Sequence, residues 1–207
     1  MPIAIAINCS LKRSSAEPSS TDKMIELIAG ELGTHGVELA EAIRIADHDV
    51  KPGVSSDEGD GDAWPELRSR ILAADILIFG TPIWLGQPSS IAKRVLERMD
   101  AFLSETDDAG RMPSFGKVAV AAIVGNEDGA HRVTADLFQA LNDVGWTIPA
   151  GGACYWVGEA MHKTDFKDLA EPPEKVVQTA TMLAANAAHL ARLLGSSPYA
   201  GVPGSGE

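Results

Sequence analysis

Three polar stretches, each following an apolar run, hold the residues of this chain that could do chemistry. The first reads Asn8-Cys9-Ser10-Leu11-Lys12 and continues to Ser19-Ser20-Thr21, where a helix-like repeat begins. The N–H groups at a helix start have no partner within the helix and, with the helix dipole, make an anion site. Ser10, Ser19, Ser20 and Thr21 add hydroxyl donors, and Lys12 or Arg13 adds a point charge. Ser20 or Thr21 also suits an N-cap, so capping alone is the competing reading of this turn. The second stretch is Thr81-Pro82-Ile83-Trp84-Leu85-Gly86-Gln87-Pro88. Here Pro82 fixes the backbone, Gly86 lets a ligand approach the main chain, and Trp84 can cover a ring face. A core or subunit-contact role is the alternative for Trp84. The third, Val124-Gly125-Asn126-Glu127-Asp128-Gly129-Ala130-His131, sets Gly125, Asn126 and Gly129 at a helix start and His131 on the helix. A lone histidine reads either as structural or as shaping a pocket. A phosphate grip beside supports for a planar polar ring points to a flavin mononucleotide, FMN.

The elements that must position these turns alternate between strand and helix. Apolar runs at 3–7, 76–79, 118–124 and 153–157 suit buried parallel strands. At 37–45, Val37, Leu39, Ile43 and Ile45 fall at spacing 2, which suits an edge strand. Helical spacing appears over 21–32, 64–73, 88–103, 127–144 and 173–194. Segments 47–62, 104–115 and 158–172 read as loops, and the Gly-, Ser- and Pro-containing stretch 195–207 as a flexible tail. The expectation is a single domain over 1–194, an α/β fold with a five-stranded parallel sheet of order 2-1-3-4-5 between helical layers. In that order the first, third and fourth strands are neighbours. Their carboxyl ends, where ligands of such sheets bind, then bring the three turns together.

Bulk properties exclude several functions. The 207 residues carry a formal net charge of −12, which speaks against binding to nucleic acid or to an anionic membrane. No apolar run approaches the roughly 20 residues of a membrane span. No secretory leader is visible at the start, and the two cysteines, Cys9 and Cys154, form no CxxC, so a cytoplasmic protein is expected. Both cysteines read as small buried groups, with Cys9 notable for its place beside the first turn. The dinucleotide fingerprint GxGxxG and the P-loop are absent, as are GxSxG and HExxH. His162 and His189 have no metal-spaced partner, and no metal is expected.

The run Thr81 to Ser90, followed by Lys93 and a helix to Asp100, resembles the NADPH-dependent FMN reductase family of flavodoxin-like proteins. The resemblance extends over about residues 2–157 and implies a flavodoxin-like three-layer α/β/α sandwich. It implies that Ser10, Lys12, Ser19, Ser20 and Thr21 hold the FMN phosphate. It further implies that Thr81, Pro82, Ile83, Trp84, Leu85 and Gly86 contact the isoalloxazine, and that Gly125, Asn126 and Gly129 close over it. Asn8 replaces the usual first-turn glycine and the turn is longer, which leaves open which of Ser14, Ser15, Ser19 and Ser20 meets the phosphate. A related branch carries an iron–sulfur cluster on cysteines after the second strand, where this chain has none. The implied activity passes hydride from NAD(P)H to FMN and on to a quinone, flavin or similar small acceptor. The cofactor carries that chemistry, and His131 and Trp84 are only candidates for shaping the acceptor pocket. A homodimer or homotetramer is implied in the same way. The alternative is a flavodoxin-like electron carrier that holds FMN and docks on protein redox partners.

Overall fold

The computed structural model describes residues 1–159 and 161–204. Its elements run β1 (Ile3–Asn8), α1 (Ser20–Thr34), β2 (Glu38–Arg44), α2 (Trp64–Ala73), β3 (Ile76–Trp84), β4 (Gln87–Pro88), α3 (Ser90–Met99), β5 (Val118–Val124), α4 (Ala130–Asp143), β6 (Ala153–Trp156) and α5 (Glu174–Ser196). The long strands are parallel in the order β2-β1-β3-β5-β6, while the short β4 folds back antiparallel on β3. The order expected from the sequence therefore holds, with one added hairpin.

Alternation along each strand divides the core. Ala4 and Ala6 of β1, with Val118, Val120 and Ala122 of β5, face α1 and α5. Ile5 and Ile7, with Ala119, Ala121 and Ile123, face α2, α3 and α4. A sheet buried on both faces needs apolar residues at successive positions, which is why these strands read as unbroken runs. The edge strand β2 keeps Glu38 exposed and buries only its end at Ile43 and Arg44.

Several boundaries differ from the sequence reading. Strand β3 continues to Trp84, because Gly80 to Pro82 stay in register with Ala122 to Val124 of β5 and Ile83 and Trp84 then pair with Pro88 and Gln87 of β4. Helix α4 starts at Ala130, since Gly129 at φ 133° breaks the chain direction before it. Helix α3 ends at Met99 and tightens into a 3-10 turn over Asp100–Leu103. Helix α5 runs to Ser196, two residues into the stretch read as a tail. Beyond it, Tyr199 packs edge-on against Phe115 at 5.8 Å and its hydroxyl lies 3.0 Å from Thr147 Oγ1. Residues 205–207 of that tail, and Ala160 of the 158–172 stretch, lie outside the described residues.

The 47–62 segment is tied down from below. Arg98, on the inner face of α3, pairs with Asp62 at 2.7 Å, and both side chains are fully buried. Arg98 also donates to the carbonyls of Ser55 and Lys51 at 2.9 Å each. Burial alone would raise the Asp62 carboxyl. Arg98 and the N–H groups of Glu58, Trp64 and Lys51 outweigh it and hold the group well below the usual carboxylate range.

Candidate functional site

The carboxyl ends of β1, β3 and β5 lie side by side, Asn8 opposite Gly80 and Pro82 opposite Val124. A cavity of about 430 Å³ opens there, with a polar end at the first turn and a flat, mostly apolar end at the other two. That is the size range of small-molecule and cofactor sites.

At the polar end Ser19 caps α1, one residue before the positions expected from the sequence. Its hydroxyl accepts from Asp22 N–H while the Asp22 carboxylate accepts from Ser19 N–H, a reciprocal capping box. Ser20 and Thr21 thus occupy the first two helical positions, whose N–H groups have no partner within a helix, and both residues line the cavity. Asn8 organises the approach to them. Its Oδ1 accepts from Ser10 N–H at 2.9 Å and its Nδ2 donates to Ser19 Oγ at 3.1 Å and to Asp22. Arg44, from the end of β2, pairs with Asp22 from beneath and donates to the Lys12 carbonyl at 2.8 Å. Burial works to raise the Asp22 carboxyl, and the Ser19 N–H, Arg44 and Asn8 together hold it below its usual range. The residue that stands in place of a turn glycine is therefore the hub of the turn. Ser10 lies on the cavity wall, buried, with its hydroxyl lacking any hydrogen-bond partner among the described residues. A buried polar atom without a partner is costly unless a ligand or water satisfies it.

The longer loop places the four serines differently. Ser14 is drawn away, its N–H and hydroxyl both bonded to Asp47. Ser15 is exposed and off the cavity wall, whereas Ser19 and Ser20 line it. Cys9, directly beside the turn, is fully buried, and burial pushes its thiol well above the ordinary value; Cys154 is pushed up to about 12. Neither offers a thiolate near neutral pH.

At the flat end, Pro82, Ile83 and Trp84 from β3 face Val124, Gly125 and Asn126 from the end of β5. A Cβ on Gly125 would sit 3.0 Å from Ile83 Cβ, so the two turns approach as closely as backbone allows. Beyond Trp84 the chain reverses through Leu85 and Gly86, with φ of 52° and 70°, the twist that joins two antiparallel strands by a two-residue turn. Gly129 meets this reversal: a Cβ there would lie 2.7 Å from Gly86 Cα. Leu85 N–H donates to Glu127 Oε1 at 3.0 Å, a second tie between the turns.

The expected site residues thus separate. Ser10, Lys12, Ser19, Ser20, Thr21, Pro82, Ile83, Trp84, Gly125 and Asn126 line the cavity. The Thr81 side chain is turned inward, its hydroxyl accepting from Ser89 N–H at 3.1 Å and donating to Pro82 O at 3.0 Å, so it braces the turn from below. Leu85, Gly86 and Gly129 form the hinge between turns outside the cavity wall, with Leu85 91% exposed. His131 also stands outside, its Nε2 2.9 Å from the Tyr155 hydroxyl. The third turn precedes α4 and is not part of its first turn, because the helix begins only after Gly129.

Sequence reasoning missed a whole wall. Trp156 at the end of β6, and Asp165, Phe166 and Lys167 from the stretch read as a plain loop, complete the cavity. Gly80 was missed as well: a Cβ there would sit 2.8 Å from Thr21 Cγ2 and 3.0 Å from Ile7 O, so only glycine lets the start of α1 lie this close to the sheet. Among the described residues no cluster of histidine, cysteine and carboxylates is arranged to hold a metal, and no helix is long and apolar enough to cross a membrane.

Comparison with known proteins identifies the family of the chain. The profile of the family described as NADPH-dependent FMN reductase matches residues 3–162. The chain is 32% identical over 209 residues to the 8-demethyl-8-aminoriboflavin-5'-phosphate synthase of Streptomyces davaonensis, covering 95% of this chain and 79% of that enzyme. It is 36% identical over 198 residues to a protein named divalent metal cation transporter MntH from Mycobacterium bovis, covering 92% of this chain but only 29% of the transporter. The chain thus spans less than a third of that relative. The solved structure of RosB with the bound intermediate 8-demethyl-8-formylriboflavin-5'-phosphate superposes with a TM-score of 0.86 at 31% identity, covering 97% of this chain and 82% of that one.

Proposed function

The chain belongs to the NADPH-dependent FMN reductase family, and on that premise we propose that it takes hydride from NAD(P)H through FMN and delivers it to a quinone, a free flavin or a similar small acceptor. The observation that carries the reading is the two-ended cavity. At one end the unpartnered buried Ser10 hydroxyl shares the cavity wall with Ser20 and Thr21, the first two residues of α1, and at the other Ile83 closely approaches Gly125 along a mostly apolar wall. These residues fit a flavin phosphate: the first turn would hold the phosphate, and Pro82 to Trp84 with Gly125 and Asn126 the ring. FMN, when bound, supplies the two-electron chemistry of accepting hydride and giving it up.

The protein's part is positional. Pro82, Ile83, Trp84, Val124, Gly125, Asn126 and Trp156 carry no titratable side chain; the titratable groups of the cavity wall are Lys12, Lys167 and Asp165, the last accepting from Asn126 Nδ2 at 3.2 Å. Hydride transfer needs no side-chain acid or base, so the apolar wall suits it. The brace of Thr81 on Ser89, with Ser89 bonded to Cys9 O, holds the second turn against the first.

The test is the visible spectrum of the purified protein with FMN, before and after anaerobic NADPH. Bound flavin should bleach rapidly in one two-electron step. Binding without bleaching by NADPH or NADH would overturn the reductase reading. A second reading follows from the similarity to an enzyme that holds a modified flavin phosphate as its intermediate: the flavin phosphate is then the substrate and is itself changed. A shift in flavin mass after incubation would support that reading, and recovery of unchanged FMN after turnover would exclude it.

An apolar rim belongs to the same proposal. Leu11, Trp84 and Leu85 stand 50%, 54% and 91% exposed beside the cavity mouth. A second copy seated there, in a homodimer or homotetramer, would cover them. Sedimentation should show an oligomer that Trp84→Glu dissociates; a monomeric wild-type protein at micromolar concentration rules this out.

A further inference from the structure

After β6 the chain leaves the sheet edge, crosses over the start of α1, and only then enters α5. This crossover is fastened at several points. Lys23 donates to the carbonyls of Lys167, at 3.4 Å, and Leu169, and its ammonium lies 5.6 Å from the centre of the Phe166 ring. Phe166 is buried against Trp156, with ring centres 5.5 Å apart. Lys167 N–H donates to Ser20 Oγ at 3.2 Å, and Asn126 Nδ2 to Asp165 Oδ1 at 3.2 Å. The backbone of Lys167 is thereby fixed directly above the helix start that the first turn presents.

Its side chain meets a carboxylate. Lys167 Nζ lies 3.8 Å from Glu17 Oε2 and 3.6 Å from Asp168 Oδ1. The other oxygen of Glu17 is paired with Lys12. Two ammonium groups from separate parts of the chain, both on the cavity wall, therefore converge on one carboxylate that stands next in sequence to Pro18 of that wall but off the wall itself. Paired in this way, the Lys12 ammonium is held above its ordinary pKa and the Glu17 carboxyl below its own, each chiefly by their mutual hydrogen bond.

We propose that Lys167 is a phosphate ligand of the bound flavin mononucleotide, supplied by the crossover and not by the first turn, and that Glu17 is an internal anion which the phosphate displaces. The inference rests on the flavin reading of the cavity. Charge gives the reason. The protein carries a net charge of −12. Asp22, Asp165 and Glu17 all stand near the polar end, and Arg44 is already committed to Asp22. Lys12 alone would face a phosphate dianion amid these carboxylates. Lys167 is the second cation, and its half-buried setting makes its contact worth more than one at an open surface. Glu17, with its side chain 46% exposed, is an easily exchanged partner.

The experiment is a comparison of FMN with riboflavin, which differ only in the phosphate, by fluorescence titration of the full chain. Lys167→Met should raise the FMN dissociation constant about tenfold and leave that of riboflavin unchanged, while Lys167→Arg keeps most of the affinity. Glu17→Gln should tighten FMN about threefold by removing the competing anion. Equal weakening of both flavins by Lys167→Met, no weakening of FMN, or a Glu17→Gln variant that binds FMN less well would overturn the proposal. A wild-type protein that binds neither flavin would instead sink the flavin reading, a result visible before any variant is made.

Discussion

Replacing Arg98 by Met is expected to cost about 3–5 kcal/mol of folding stability, because it leaves a fully buried carboxylate without its counter-ion. The loss has several parts. Asp62 keeps the N–H groups of Lys51, Glu58 and Trp64 but loses the only cation paired with it among the described residues. The Ser55 and Lys51 carbonyls lose their donor as well, and the indole of Trp64 loses the guanidinium lying 5.8 Å from its ring. Urea unfolding of the wild type and variant gives the difference directly. The pH dependence carries a sign. The Asp62 carboxyl is depressed in the folded protein, so its contribution is fully present above the unfolded carboxylate range near 4 and is lost as pH falls through the folded value. Arg98→Met moves that folded value upward and should shift acid unfolding to higher pH. An unchanged urea midpoint would mean that the 47–62 segment is held by other contacts.

Gly129→Ala is the substitution expected to do most harm to the site. Alanine must adopt a φ of 133°, which L-residues avoid, and its Cβ would lie 2.7 Å from Gly86 Cα, where no side chain can swing aside. The turns carrying Trp84 and Asn126 must separate. The expected cost is about 1–3 kcal/mol of stability, with FMN affinity falling roughly tenfold or more as the flat end of the cavity widens. Flavin titration beside a thermal melt distinguishes the two effects. A variant that melts lower but binds FMN normally would show that the hinge supports the fold and not the cavity.

How far these features could be read from the sequence follows from what each residue signals. Ile3–Ile7 and Val118–Val124 are continuous apolar runs and could only be buried strands, so the sheet and its order were legible. Three strand ends beside each other followed from that order. Arg98 was not legible: an arginine among Val95, Leu96 and Met99 reads as a solvent-facing position, and only the fold of 47–62 over α3 gives it a partner. The extension of β3 to Trp84 was hidden by Thr81 and Pro82, which signal a turn. The crossover was the largest omission. Its residues have no periodicity, and its contacts to α1 run through the main chain of Lys167 and Leu169, which side-chain types do not reveal. Phe166, a lone large apolar residue among charged neighbours, was the one available hint.

Synthesis proceeds from the N-terminus, and this gives the crossover a consequence of timing. The three turns are complete once residue 131 has emerged, yet Trp156, Phe166 and Lys167 follow much later and close the cavity from the far edge of the sheet. A nascent chain halted between the two points would show most of the cradle and retain little ligand. Cofactor capture therefore reports that the C-terminal part has docked, and occupancy should shield the 157–173 crossover from proteolysis.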